Sequence, residues 1–200
     1  MKNEHEIMAR DTASYLPVFS RYPIVLDHGE GSYVWDVNGR KYLDALGGIA
    51  VNVLGHNYAP LVDAIAEQAK RLIHVSNLYY TEPQADAAAK LSALTAGGKV
   101  FFGNSGAEAN EGAIKAARKY GHMIHPEKSQ IITALGSFHG RTLATLTATG
   151  QEKFHKGFAP LPQGFDYVPF NDIAALEAQM SENTAAVMLE PIQGEGGVRT

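Results

Sequence analysis

Residues 101–111 read FFGNSGAEANE and join two predicted elements of the fold. Residues 99–102 are apolar enough for a buried strand, and residues 106–120 have helical spacing, so a strand is predicted to turn directly into a helix. Gly103 and Gly106 let the backbone of this turn approach a ligand closely. The first helical turn would present free N–H groups and the positive end of its dipole, an arrangement that binds phosphate.

The same turn has a second interpretation that needs no ligand. Ser105 and Glu108 form the pattern S-x-x-E, a capping box that satisfies the N–H groups of a helix start. Spacing alone leaves both interpretations open. The stretch is not a Walker loop, because no Gly-Lys-Ser/Thr follows, and it is not a G-x-G-x-x-G fingerprint.

Outward from this stretch, short apolar runs alternate with helical patterns. Further strands are predicted at residues 130–134 and 186–189, and further helices from Pro60 onward and at residues 83–95, 141–148 and 171–180. Alternation of strand and helix with continuously apolar strands is typical of a parallel sheet. The predicted fold class is therefore α/β. Because the chain ends just after a strand, we expect the sheet to be incomplete and the chain to be truncated.

The first part of the chain has a different pattern. Residues 1–23 are predicted to form an N-terminal arm with a short helix, and residues 24–46 are predicted to form short strands. Asn38-Gly39 separates two strand-like runs and suits a type I′ turn, in which both central residues have positive φ. A β-hairpin is therefore predicted there, and it must pack on another element to be stable.

Composition allows a sizeable core and limits the classes of function. Hydrophobic residues make up 45% and charged residues 19% of the chain, as in globular proteins. A net charge of -4 does not favour binding to nucleic acid or anionic membranes. The absence of cysteine excludes disulfides, Cys-ligated metals and a Cys nucleophile. The histidines lack a metal-ligand spacing, so no metal site is predicted.

The N-terminus indicates the simplest location. The first residues, MKNEHEIMARD, are polar and of mixed charge, without the apolar core of a signal peptide. No stretch reaches the apolar length that a membrane span requires. We therefore expect a cytoplasmic protein.

A second candidate turn, GSFHGRT at residues 136–142, follows the predicted strand at residues 130–134. Turns that follow parallel strands lie at the sheet edge where ligands bind in open α/β folds. Phe138 could stack on a flat heteroaromatic ring, and Arg141 could clamp a carboxylate. The alternative is a turn with one buried phenylalanine and one solvated arginine.

A third candidate turn, LEPIQGEGG at residues 189–197, follows the last predicted strand. Its two carboxylates, Glu190 and Glu195, could line a site or pair with a cation. Alternatively, Glu190 only ends the strand and Glu195 is solvated. The residues themselves leave both interpretations open.

Together and in this order, residues 104–111, 138–142 and 190–197 resemble the subgroup III (ω-amino) pyridoxal-phosphate (PLP) aminotransferases of fold type I. Two earlier stretches, DALGGIAVNVLGH at residues 44–56 and HVSNLYY at residues 74–80, resemble the acetylornithine aminotransferase branch. The resemblance implies an incomplete PLP-dependent transferase fold. Its implied domains are an N-terminal arm with the small-domain hairpin, residues 1–58, and the N-terminal part of the PLP-binding large domain, residues 59–200.

The resemblance also implies residue roles in cofactor binding. Ser105, Gly106 and Ala107 match the residues that wrap the PLP phosphate. Phe138 matches the residue that stacks against the pyridine ring, and His139 belongs to the same cofactor-binding turn. The capping box and the phosphate site need not compete, because phosphate takes backbone N–H groups while Ser105 adds its hydroxyl.

Further matches concern the substrate. Arg141 matches the residue that holds the α-carboxylate, and Glu195 matches the gating acid that pairs with a C-terminal arginine until an α-ketoacid arrives. Glu190 and Gln193 match positions near the cofactor. Where ornithine aminotransferases place a tyrosine that contacts the free α-amino group, this chain has Ile49, which suits an acylated amino group. N2-acetyl-L-ornithine is therefore preferred, with succinylornithine and N-succinyl-diaminopimelate as open alternatives.

The implied reaction transfers the δ-amino group of N2-acetyl-L-ornithine to 2-oxoglutarate in arginine biosynthesis, and the implied assembly is a homodimer. The Schiff-base lysine, the aspartate for the pyridinium nitrogen and the partner arginine of the gate match positions beyond Thr200. No catalytic residue is therefore assigned in this chain, and these 200 residues alone are expected to be inactive. The alternatives are another ω-aminotransferase, acting on ornithine or γ-aminobutyrate for example, and an inactive truncated module for binding or dimerisation.

Overall fold

The computed structural model describes residues 3–95 and 97–200. The chain divides into two compact units, the first ending at Thr81 and the second beginning at Glu82. The domain assignment implied by the resemblance, with its boundary at residue 58, refers to the complete family fold and stays a prediction.

The first unit begins with a capped helix, α1 (Glu4–Ser14). The Asn3 side chain accepts hydrogen bonds from two amides of its first turn and so satisfies donors that a helix start leaves unpaired. Three short strands follow and form an antiparallel sheet in the order β1-β2-β3. Their bounds are β1 (Leu26–Glu30), β2 (Tyr33–Asp36) and β3 (Lys41–Leu43).

The predicted hairpin between β2 and β3 is confirmed, but its predicted turn type is wrong. Of the two central residues, only Gly39 has a positive φ, at 83°. The Asp36 carboxylate accepts the amides of Asn38 and Arg40, each at 2.9 Å, and the Asp36 amide donates to the Arg40 carbonyl at 3.0 Å. The side chain of Asp36 therefore favours a longer loop that ends in a left-handed glycine.

The rest of the first unit and the start of the second are mainly helical. The helix predicted from Pro60 is confirmed as α3 (Ala59–Arg71), and the helix predicted at residues 83–95 is confirmed as α4 (Glu82–Leu94), which opens the second unit. Before α3, the single turn α2 (Gly47–Ala50) has positive φ at all four residues, between 56° and 65°. A short 3-10 turn spans Ser76–Leu78.

The second unit contains the predicted parallel sheet, in the order β5-β4-β6. Its strands are β4 (Gln130–Ala134), β5 (Phe165–Val168) and β6 (Thr184–Met188). Its remaining helices are α5 (Gly106–Ile124), α6 (Leu143–Ala148), α7 (Glu152–His155) and α8 (Ile173–Gln179). The predictions at residues 106–120, 130–134, 141–148, 171–180 and 186–189 are confirmed apart from shifted ends.

The core of this unit lies around the central strand. Ile131 of β4 packs with Ile114 of α5 and Ala148 of α6, and each is at most 3% exposed. Ile132, on the other face of β4, is also fully buried. A central strand covered on both faces needs apolar residues at successive positions, which the sequence of β4 provides.

The strand predicted at residues 99–102 is wrong. Phe101 is 71% exposed, and no segment among residues 3–95 and 97–200 pairs with this stretch. A strand exists only through hydrogen bonds to a neighbour, so an apolar run without a neighbour stays irregular. The turn at residues 103–106 therefore does not follow a strand, and its position is set by the packing of α5. The other two candidate turns directly follow β4 and β6.

Every helix in the described part of the chain is too short or too polar to cross a membrane.

Candidate active site

The N-terminus of α5 is both capped and open. Ser105 is the extended N-cap residue, and its hydroxyl accepts the Glu108 amide at 3.2 Å. The Glu108 carboxylate reaches back to the amide of Asn104, so the predicted capping pattern is present with a shifted partner. Within the described part of the chain, the amides of Gly106 and Ala107 meet no acceptor. The two interpretations of this turn therefore coexist.

These open amides are accessible. Ser105 and Gly106 are exposed, and Ala107 is half-buried. They stand at the first turn of a 19-residue helix, whose dipole places partial positive charge there. A phosphate group fits this position, because both its charge and its oxygen acceptors match what the helix start offers.

The turn at residues 136–142 packs directly on this helix start. A Cβ on Gly140 would lie 2.8 Å from Ala107 Cβ and 3.0 Å from Ala107 Cα, so only glycine allows the observed approach. Asn110 of α5 donates its side-chain amide to the His139 carbonyl at 2.7 Å. The predicted cofactor-binding residues of the two turns are therefore brought together.

The interior of this turn is held by buried polar groups. His139 is 4% exposed, and its amide donates to the Thr149 hydroxyl at 2.9 Å. Burial lowers the pKa of the His139 imidazole, which favours the neutral ring near pH 7. The ring Nε2 is buried and has no hydrogen-bond partner among the described residues. His139 thus stabilises the turn from its buried side.

The turn at residues 189–197 braces the aromatic turn. Glu190 accepts the Phe138 amide at 3.0 Å, and Gln193 donates to the Leu135 carbonyl at 3.0 Å. Gln193 is fully buried, and its Oε1 has no partner within the described ranges. Both residues orient backbone groups of the neighbouring turn, and their predicted place near the cofactor stays a prediction.

Arg141 lies over two aromatic rings. Its Cζ is 4.5 Å from the centroid of the Phe154 ring and 5.6 Å from that of Phe138. The two rings meet edge to face, with centroids 5.6 Å apart. Stacking of this kind holds a guanidinium in place while its N–H edge stays free for a planar carboxylate.

Glu195 is bound on the side of this aromatic pair. Its carboxylate accepts Gln151 Nε2 at 2.6 Å and lies 3.3 Å from Lys153 Nζ. The hydrogen bond from Gln151 lowers the pKa of Glu195 most, and the charges of Lys153 and Arg141 lower it further. Glu195 is therefore an ionised acid close to the predicted carboxylate-binding arginine.

Sequence reasoning missed the segment that joins these parts. Gln151, the residue before α7, contacts Glu195, and Phe154 within α7 contacts Arg141. No local sequence pattern predicts either contact. Asn110 lies in the quoted motif, but its hydrogen bond to the turn depends on the tertiary contact. Ile49 belongs to the first unit and is 80% exposed, and its predicted role in the substrate site stays a prediction.

The fold around the parallel sheet is that of the PLP-dependent aminotransferases, as similar solved structures show. The ornithine aminotransferase from Toxoplasma gondii ME49 is similar with a TM-score of 0.93 and 31% identity, over 100% of this chain and 48% of that one. A second structure from Toxoplasma gondii, with a TM-score of 0.92, 30% identity and the same coverage, is described as having partial occupancy of PLP at its active site.

The sequence defines the family more closely. The model of the aminotransferase class-III family matches residues 16–200, and the chain belongs to that family. The acetylornithine aminotransferase of Caldanaerobacter subterraneus subsp. tengcongensis is 58% identical, over 92% of this chain and 47% of the relative. The chain thus spans about half the length of the curated relatives it matches. The predicted family and fold class are confirmed.

Proposed function

We propose that the whole protein transfers the δ-amino group of N2-acetyl-L-ornithine to 2-oxoglutarate, giving N-acetylglutamate 5-semialdehyde and glutamate, with PLP as cofactor. The observation that carries this proposal is the packing of Gly140 on Ala107. This contact joins an anion-binding helix start to a turn that bears an aromatic ring and an arginine. A phosphorylated heteroaromatic ring and a carboxylate substrate together require these groups.

The chain's own residues would hold the cofactor through its phosphate. The amides of Gly106 and Ala107 and the hydroxyl of Ser105 are the donors that fit it, since the helix start leaves the two amides open. The Phe138 ring offers a flat apolar face to the pyridine ring. When bound, PLP supplies the electron sink that makes the carbon bearing the amino group acidic.

Substrate recognition would rest on two charged groups and one apolar group. Arg141 binds the α-carboxylate of the substrate in bidentate fashion. Glu195 remains ionised and is the acid that responds to the second carboxylate of 2-oxoglutarate. Ile49 offers no hydroxyl to a free α-amino group, which favours an acylated donor. The name of the 58% identical relative supports this choice of donor.

By the same resemblance we propose that the whole protein works as a cytoplasmic homodimer. Several large apolar side chains of the first unit are exposed to solvent, and their burial against a second copy would stabilise the dimer. Examples are Ile73, Tyr80 and Val51, which are at least 82% exposed. Analytical ultracentrifugation of the full-length protein tests the dimer, and a monomer at micromolar concentration would contradict it.

The test of the reaction compares amino donors. Full-length protein with PLP and 2-oxoglutarate is assayed with N2-acetyl-L-ornithine, N2-succinyl-L-ornithine, L-ornithine and γ-aminobutyrate. We expect the highest kcat/KM for N2-acetyl-L-ornithine. A higher value for free ornithine would reject the role of Ile49, and no transfer from any donor would reject the proposed function.

A matched pair of variants tests the carboxylate site. Arg141→Met should raise the KM of both substrates roughly tenfold or more, because a charge-assisted hydrogen bond is lost. Arg71→Met removes an exposed arginine at the end of α3 and should leave both values unchanged. Equal kinetics of the two variants would remove Arg141 from the site.

A further inference from the structure

Glu195 and Arg141 carry opposite charges and contact the adjacent residues Lys153 and Phe154, yet the described residues contain no ion pair between them. Lys153 Nζ is 4.7 Å and Arg141 Cζ is 4.5 Å from the centroid of the same Phe154 ring, and Lys153 contacts Glu195 at 3.3 Å. The charge of Arg141 also acts on the Glu195 carboxyl. Within the described ranges, Arg141 forms no ion pair with any carboxylate. Some other contact therefore holds Glu195 in its position.

Gln151 provides that contact. Its Nε2 donates to Glu195 Oε2 at 2.6 Å and to the Ser137 carbonyl at 2.9 Å. Ser137 is fully buried at the start of the aromatic turn, so one hydrogen bond anchors the amide while the other holds the carboxylate. Lys153 adds less, because its side chain is 62% exposed and the ion pair is screened by solvent.

We propose that Gln151, assisted by Lys153, is a positioning residue that holds the Glu195 carboxylate away from Arg141 and keeps the guanidinium free for a substrate carboxylate. This inference rests on the proposed role of Arg141. Without Gln151, the Glu195 carboxylate keeps only its solvent-screened contact with Lys153 and can rotate toward Arg141, the cation that the substrate needs. An incoming carboxylate would then compete with an internal one.

The test measures binding apart from turnover. N2-acetyl-L-norvaline has the acetyl group and the α-carboxylate of the donor but no δ-amino group, so it binds without reacting. Calorimetry on the full-length protein with PLP gives its Kd. Gln151→Leu should raise this Kd about threefold to fivefold, the factor by which a partly exposed ion pair competes. Gln151→Leu with Lys153→Met should raise it further.

Rescue separates positioning from a structural role. Adding Glu195→Gln to the double variant should return the Kd to the wild-type range, because a neutral amide no longer pairs with Arg141. A role limited to shaping the turn at Ser137 would not be rescued. Lys156→Met, which removes an exposed lysine of the same segment, is the matched control and should bind like wild type. Gln151→Met replaces Gln151→Leu if the leucine variant does not fold.

The outcomes are distinct. An unchanged Kd in the Gln151 variants, or a raised Kd that Glu195→Gln does not restore, overturns this proposal and leaves the proposed function intact. A probe that binds Arg141→Met as tightly as wild type overturns the role of Arg141 and this proposal with it.

Discussion

Gly140 and Ala107 are in such close contact that the structure leaves no room for a side chain on Gly140. A Cβ at that position would lie 2.8 Å from Ala107 Cβ and 2.5 Å from the Thr145 hydroxyl. Gly140 also has a φ of 140°, a backbone conformation that residues with a side chain rarely adopt. The alignment of the aromatic turn with the start of α5 therefore depends on this glycine.

Substitution at this contact should separate the two turns. Gly140→Ala is expected to destabilise the protein by about 1–3 kcal/mol through overpacking, in addition to the strain of its backbone conformation. It should also weaken PLP binding, because the aromatic turn must move away from α5. Thermal unfolding and a PLP titration of the full-length protein measure both effects.

Gly157→Ala is the matched control for this substitution. Gly157 has a φ of 88°, but a Cβ there would meet nothing within 4 Å. The control should therefore show backbone strain without a change in PLP affinity. Equal loss of affinity in both variants would contradict a specific role for the contact at Gly140.

The phosphate role of Ser105 can be separated from its capping role. Ser105→Ala should cost about 1 kcal/mol of stability through loss of the cap, and should raise the Kd of PLP roughly tenfold through loss of a hydrogen bond to a charged group. Asp172→Ala removes the similar cap of α8, which accepts the Ala175 amide at 2.9 Å. That variant should lose stability alone. If both variants bind PLP like wild type, Ser105 is only a cap.

Burial of His139 should make stability depend on pH. Its pKa in the folded protein is lowered from the ordinary 6.5, so the unfolded chain takes up a proton first as the pH falls. Stability should therefore fall as the pH drops from 6.5 toward the lowered pKa. Unfolding in urea at about pH 7.5 and about pH 5.5 measures this loss. His139→Gln should reduce it, whereas substitution of the exposed His122 by Gln should not.

Asp36 should give a pH dependence at more acidic values. The hydroxyl of Tyr42 and the Arg40 amide donate to its carboxylate and lower its pKa from the ordinary 3.8. The stability that Asp36 adds is thus present above 3.8 and is lost as the pH falls through the lowered pKa. Asp36→Asn should be less stable than wild type at neutral pH, with a difference that shrinks in acid. Asp63→Asn, on an exposed site of α3, should show no such difference.

The sequence alone predicted those features that depend on neighbours along the chain. The apolar run of β4 indicated a strand of a parallel sheet, because a strand covered on both faces needs apolar residues throughout. Ser105 and Glu108 indicated the start of α5, because a cap lies within three residues of the amide it binds. The order of the three turns, which matched one family, predicted where the site lies.

Local patterns misled where a feature depends on distant partners. Residues 99–102 are apolar like a strand, but no described segment pairs with them. β5 (Phe165–Val168) was missed, because four residues with an internal aspartate carry little pattern while pairing with β4 makes them a strand. The turn at Asn38-Gly39 differs from the locally predicted type, because the side chain of Asp36 selects a longer loop.

The order and chemistry of the residues along the chain were thus enough to give the fold class and the family, and they predict which side chains bind phosphate, ring and carboxylate. Which of these side chains meet is set by tertiary packing. The Gln151 amide and the Glu195 carboxylate are 44 residues apart, and the Phe138 amide and Glu190 are 52 apart. The physical reason is that a hydrogen bond is directional and short, so a polar side chain finds its partner only after the packed elements bring the two within about 3 Å.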